Sequence, residues 1–168
     1  LMGNTKYSEI YDQFLDRITD DMYISWSKEE TYADLAAFLS TAIARFHMPH
    51  ENLRDKEDVG GEICFTSELS YRTIDILTLL MEKEWLNRQL RTVKLTELQY
   101  TGSDAKVLNT KSQAEAIIKI KDDLQRDLNQ AYHNYQYETT NTETKLQEIT
   151  NLNLAGVNKD RDWKRGAQ

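Results

Sequence analysis

The chain has 168 residues, 39% of them hydrophobic and 29% charged, with a formal net charge of −7. That length points to one domain burying roughly two thirds of its unfolded surface. The acidic balance argues against a protein that grips nucleic acid, whose affinity comes from Lys and Arg releasing counterions.

No stretch approaches the ~20 apolar residues of a membrane span. No basic n-region precedes an apolar h-region, so export by a standard signal is not expected. A single cysteine, Cys64, excludes an intramolecular disulfide. Its neighbours Ile63 and Phe65 describe a small buried hydrophobe, without the cationic flank that activates a thiolate. The charge is uneven: residues 1–60 hold 6 basic and 12 acidic groups, whereas 111–168 hold 9 of each.

The spacing of Tyr7, Ile10, Tyr11, Phe14, Leu15 and Ile18 follows one face of a 3.6-residue period and predicts a first helix from about Thr5 to Thr19, ended by Asp20-Asp21. Residues 22–26 are too short for a helix and read as extended. Ser27 and Glu30 form a capping-box signature opening a second helix. Its apolar face is Leu35, Leu39, Ala42, Ile43 and Phe46, and it stops near the only proline, Pro49. A charged loop over 50–61 ends in Gly60-Gly61. The β-prone patch 62–66 can pair with 22–26 as a two-stranded ribbon.

A third helix, starting near Ser67 or Ser70 and reaching about Thr92, carries Ile74, Leu77, Met81, Trp85 and Leu86 on more than one face. It should be the central, most buried helix. Val93 to Asn109 is ambiguous, with a turn over 100–104. Thr110 and Gln113 form a second capping box, opening a fourth helix over 112–137 that would be roughly 39 Å long. Its stripe of Ala114, Ile117, Leu124, Leu128, Ala131 and Tyr135 lies close to heptad spacing. The fold class expected is all-α: an antiparallel bundle of about four helices over 4–137, with a short β-ribbon and an extended arm over 138–168. The core positions are Tyr11, Phe14, Ile18, Leu39, Ile43, Phe46, Leu77, Met81, Trp85, Ile117, Leu124 and Leu128.

From Glu138 the chain is rich in Thr and Asn, with Leu146, Ile149 and Leu152 as isolated apolar residues. Trp163 follows among Arg161, Lys164 and Arg165. Such a segment cannot offset its ordering entropy alone, and is either a disordered tail or an arm that orders on a partner. For the second case the contact residues are Tyr137, Leu146, Ile149, Leu152, Arg161, Trp163, Lys164 and Arg165, with the indole as anchor.

No constellation for catalysis stands out. His47 and His50 flank Met48-Pro49, but zinc requires three or four ligands, and the pair reads as a polar helix end. The acidic clusters Asp16/Asp20/Asp21 and Asp55/Glu57/Asp58 lack the alternating oxygens, central glycine and terminal glutamate of a calcium loop. No phosphate-cradling glycine loop, nucleophile elbow or zinc-binding HExxH is present. No catalytic residue, cofactor or metal is therefore expected.

Three blocks together resemble the head–tail connector, or neck adaptor, proteins of tailed bacteriophages that dock on the portal. They are Tyr7-Ser8-Glu9-Ile10-Tyr11 with Phe14, Ile18 and Asp20; Ile74-Asp75-Ile76-Leu77 running to Met81 and Glu84-Trp85-Leu86; and Gly102-Ser103-Asp104 leading into the fourth helix. The resemblance spans about 5–137. It implies a small helical virion protein forming a ring, typically of twelve copies, beneath the portal protein. The ring extends the DNA channel and meets a tail-side neck or tail protein, with no membrane involved. Independently of the family, an acidic chain suits a channel through which double-stranded DNA slides without sticking. The alternative is a helical scaffolding or regulatory protein binding a phage or host factor through the fourth helix.

Overall fold

The structure, a computed structural model, describes residues 4–18, 22–99 and 110–137. Among them are five helices and one antiparallel pair of strands: α1 (Tyr7–Leu15), α2 (Met22–Ser25), α3 (Lys28–Arg45), β1 (Lys56–Val59), β2 (Glu62–Phe65), α4 (Tyr71–Gln99) and α5 over 110–137. The protein is a helical bundle with a short β-ribbon. It divides into two compact units, Leu1–Ala131 and Tyr132–Gln168, the boundary falling within α5.

α1 buries Ile10, Tyr11 and Phe14 on the predicted stripe. It is shorter than the spacing predicts. After Leu15 the chain tightens into a turn, with the Asp16 amide donating to Asp12 and the Arg17 amide to Phe14, both at 3.0 Å. Ile18 thus lies outside the helix and is only half-buried. Arg17 pairs instead with Asp75 at the start of α4.

Residues 22–25 form a single helical turn, not a strand. The ribbon is made by β1 with β2, in the register Lys56↔Phe65 to Val59↔Glu62. Its cause is the turn. Gly60 and Gly61 have φ of 68° and 89°, the two positive values that a two-residue hairpin turn needs. The Asp58 carboxylate accepts the Gly61 amide at 2.7 Å and closes the tip. On its other edge β2 meets the N-terminal segment: the Phe65 amide donates to the Thr5 carbonyl at 2.9 Å, and Lys6 bridges to Cys64. Phe65 and Cys64 are sealed, while every residue of β1 is exposed.

α3 opens as expected: the Glu30 amide donates to the Ser27 hydroxyl, and the Glu30 carboxylate accepts the Ser27 amide at 2.9 Å. Leu35, Leu39, Ala42 and Phe46 are buried, whereas Ile43 is half-buried at the edge of the face. α4 starts on Ser70, whose hydroxyl accepts the Thr73 amide at 3.2 Å. Glu51 completes that helix end from the preceding loop, accepting the Ser70 amide at 3.0 Å and the Thr73 hydroxyl at 2.7 Å.

The first half of α4 is the centre of the core, with Ile76, Leu77 and Met81 fully buried. Trp85 is half-buried rather than central, because α4 runs on to Gln99 and its residues 82–85 and 87–90 are all only partly covered. The 29 residues span ~43 Å, longer than the elements stacked against them can cover. In α5, Leu124 and Leu128 are buried and Ile117 is half-buried. The helix takes in Thr110, expected as its N-cap.

Two cross-links set the pairing of α3 and α4. Asp34 meets Arg88, and Arg45 near the end of α3 meets Glu84, so the partners run in opposite order and the helices are antiparallel.

Candidate functional site

A groove on the described surface is built from several elements. α1 contributes Tyr7, Ser8 and Tyr11; α3 contributes Lys28, Glu29, Tyr32, Ala33 and Ala36; the hairpin contributes Gly61, Glu62 and Ile63. The groove holds about 520 Å³ and is open along one side. Its wall is aromatic because Tyr7 and Tyr11 stand one turn apart on α1, and Tyr32 faces them from α3. The rings meet edge to face, Tyr7 to Tyr11 at 6.3 Å and Tyr11 to Tyr32 at 5.0 Å between centroids. Tyr7 also lies 4.6 Å from Phe65, which fixes the wall to β2. Alanines at 33 and 36, both exposed, leave the opposite side low.

The polar chemistry of the groove is donor-rich. Tyr11 is 4% exposed and lines the groove. Burial pushes the Tyr11 hydroxyl up to about 12, with smaller contributions from Tyr7 and Tyr32. Burial likewise raises Tyr7. Both are therefore neutral donors at physiological pH, not phenolate nucleophiles. Lys28 stands 5.1 Å above the Tyr32 ring, and Glu62 is held by Lys6 at 2.6 Å. What this arrangement can do is stack apolar or aromatic groups and donate to carbonyls. It brings together no nucleophile, base and orienting acid.

A polar joint links α2, α3 and α4. Arg88 donates to both oxygens of Asp34 at 2.8 Å and to the Tyr23 hydroxyl at 3.0 Å, while that hydroxyl donates to Asp34 at 2.7 Å. The guanidinium also covers the Phe38 ring at 4.5 Å. Burial, then the bond to Asp34, drives the Tyr23 hydroxyl far above its ordinary range. The joint positions α2, which presents Ile24 to solvent, and Trp26 just beyond it is also exposed.

The residues singled out from sequence fall as follows. His47 and His50 are exposed, and among the described residues no group of three or more His, Cys, Asp or Glu is placed to hold a metal ion. Cys64 is sealed and burial raises its thiol. The acidic loop residues are spread over separate tasks: Asp58 at the hairpin tip, Glu57 accepting from Asn4, and the Asp55 carbonyl accepting the Thr66 amide at 3.3 Å. Tyr137 is exposed. Leu146, Ile149, Leu152, Arg161, Trp163, Lys164 and Arg165 lie outside the described residues, as do Asp20 and Asp21.

Sequence reasoning placed Tyr7 and Tyr11 on a core stripe and missed the groove they wall. The available signal was that three tyrosines, rather than leucines, occupy facing edges of two helix stripes. No helix among the described residues is long and apolar enough to cross a membrane. In comparison with known proteins, no family model, no curated protein and no solved structure matches the chain.

Proposed function

We propose that this protein is a structural adaptor of a tailed-phage virion, a non-enzymatic ring component beneath the portal that extends the DNA channel and joins head to tail. The observation that supports it best is the nature of the groove: ring faces, neutral hydroxyl donors and small residues, which is contact chemistry rather than reaction chemistry. The sequence blocks at Tyr7–Tyr11 and Ile74–Leu86 that resemble neck adaptors supply the wall of that groove and the central helix that carries the bundle.

Electrostatics agree with this reading. The hairpin exposes Glu57, Asp58 and Glu62, and the whole chain carries −7, so duplex DNA passing nearby is repelled rather than held. In this account the arm over 138–168, with Trp163 as anchor, meets the portal or a neighbouring copy. The experiment is co-assembly: purified protein mixed with portal rings of the same phage should migrate with them as a stoichiometric complex. Protein that remains separate from the rings refutes the adaptor reading.

A second reading has its own support. Ile118 and Ile120 on α5 are 41% and 50% exposed on opposite sides of the helix, two separate apolar contacts through which a scaffolding or regulatory protein could hold a phage or host factor. Isoleucine-to-serine changes at both positions would abolish that binding and leave portal co-assembly untouched.

A further inference from the structure

Two apolar features of the surface lie on opposite halves of α3. One is the tyrosine groove, which uses residues of α3 only as far as Ala36. The other is the turn just past Arg45. There Phe46 is anchored in the core, and His47, Met48, Pro49 and His50 are all exposed, Met48 by 68%. Ala36 and Arg45 are nine residues apart, ~14 Å along the helix.

Met48 is unusual in its backbone as well as its exposure. Its φ of 56° makes it the only non-glycine among the described residues in the left-handed region. Glycine or asparagine would be favoured there, and a long apolar side chain is not. Backbone held in such a region tends to mark binding sites. The turn therefore holds a thioether and a proline ring out in solvent, on a conformation that costs stability.

We propose that Met48 and Pro49 of one copy seat in the tyrosine groove of a second copy. This rests on the adaptor reading and names the surfaces by which copies would meet. A thioether is favourable against aromatic ring edges, and Tyr7, Tyr11 and Tyr32 present such edges. A segment at a proline has carbonyls to offer and one amide fewer to satisfy, which suits a wall of hydroxyl donors, as in other aromatic grooves that take proline-bearing strands. The volume of about 520 Å³ fits two side chains of this size rather than a helix.

Charge does not oppose the contact. Glu51, the one carboxylate of the turn, points inward onto Ser70 and Thr73, so it does not confront Glu29 on the groove rim. Because the two patches differ, the contact is heterologous, and each copy keeps one of each free for the next. Heterologous contacts close into rings when the rotation permits.

The test uses the full chain in a Cys64→Ala background, with His47→Cys, which keeps Met48 and Pro49 in place, and Ala36→Cys as separate variants joined by a short bismaleimide. Both positions are exposed, so neither change disturbs the core. Mixed together, free at high concentration and on portal rings, the two variants should cross-link at least ~10-fold more than either alone, or than His47→Cys mixed with Tyr71→Cys. Equal yields, or none in either setting, overturn the proposal, and so does a cross-link from Ala36→Cys to the portal.

Met48→Asn, which suits the left-handed backbone, should keep or raise the melting temperature while weakening self-association at least ~10-fold. Wild-type association by that variant also overturns the proposal. Portal co-assembly without the cross-link would sink this contact alone. The cross-link without portal co-assembly would sink the adaptor reading and leave the contact standing.

Discussion

Breaking the joint between Asp34 and Arg88 tests how the bundle is held. Arg88 makes four interactions there: two bonds to Asp34 and one to Tyr23, between 2.8 and 3.0 Å, and the cover over Phe38. Truncating one partner of a fully buried ion pair costs ~3–5 kcal/mol. Here the side chains are 34% and 21% exposed, so water screens both charges and a value of ~1–2 kcal/mol is appropriate for the pair. Loss of the cation above Phe38 adds about 0.5–1 kcal/mol. Arg88→Met should therefore destabilise by ~2–3 kcal/mol, since Met keeps part of the aliphatic cover but leaves Asp34 with Tyr23 alone. Urea unfolding followed by circular dichroism gives the value, and a cycle with Asp34→Asn isolates the pair. A coupling of ~1–2 kcal/mol is expected, falling only modestly in 1 M salt. Strict additivity of the two changes, or a single-variant loss below ~0.5 kcal/mol, would show that the joint is surface decoration.

Three further perturbations probe separate parts of the structure. Leu77→Ala should cost ~2–5 kcal/mol by chemical unfolding, and Trp85→Ala clearly less than full burial of an indole would give, because Trp85 is half-covered; the reverse order would move the core down α4. Gly61→Ala should lose ~1–2 kcal/mol purely from backbone conformation, since a Cβ there meets nothing within 4 Å, and Gly61→Asn should lose less. Glu82 has its carboxyl raised by burial, opposed by Arg17 and reinforced by Asp127. A raised group stabilises the fold below its unfolded pKa and loses that contribution as pH rises through the folded one, so Glu82→Gln should raise the melting temperature at pH 7 and much less at pH 4. An equal gain at both values would contradict that cause.

Much of the helical content was legible because the physics is local. The Ser27–Glu30 box, the stripe of Ile10, Tyr11 and Phe14, and the apolar crowding from Ile74 to Met81 each specify a helix without help from elsewhere. The ribbon was not read correctly, since Lys56-Glu57-Asp58-Val59 has a composition that strands avoid. It becomes a strand because Gly60-Gly61 dictates a two-residue turn and imposes the register on whatever precedes it. The glycine pair that ends the charged loop over 50–61 is a turn instruction. Residues 22–25 erred the other way: Tyr23 is drawn to Asp34 and Arg88, a tertiary bond that a local reading cannot see. The groove escaped for a related reason. Its wall joins residue 7 to residue 32 and residue 63, and periodicity within one helix says nothing about which edge of that helix another element leaves open.

The adaptor account turns most directly on portal co-assembly. Purified portal rings from the same phage, mixed with an excess of this protein and weighed by native mass spectrometry, should gain a fixed number of copies of 19.7 kDa each, as a single species that survives moderate salt. Duplex DNA added to the free protein should stay unbound even at low salt. Portal rings of unchanged mass, together with tight and salt-sensitive binding of the free protein to DNA, would contradict both the assignment and the sliding channel it implies.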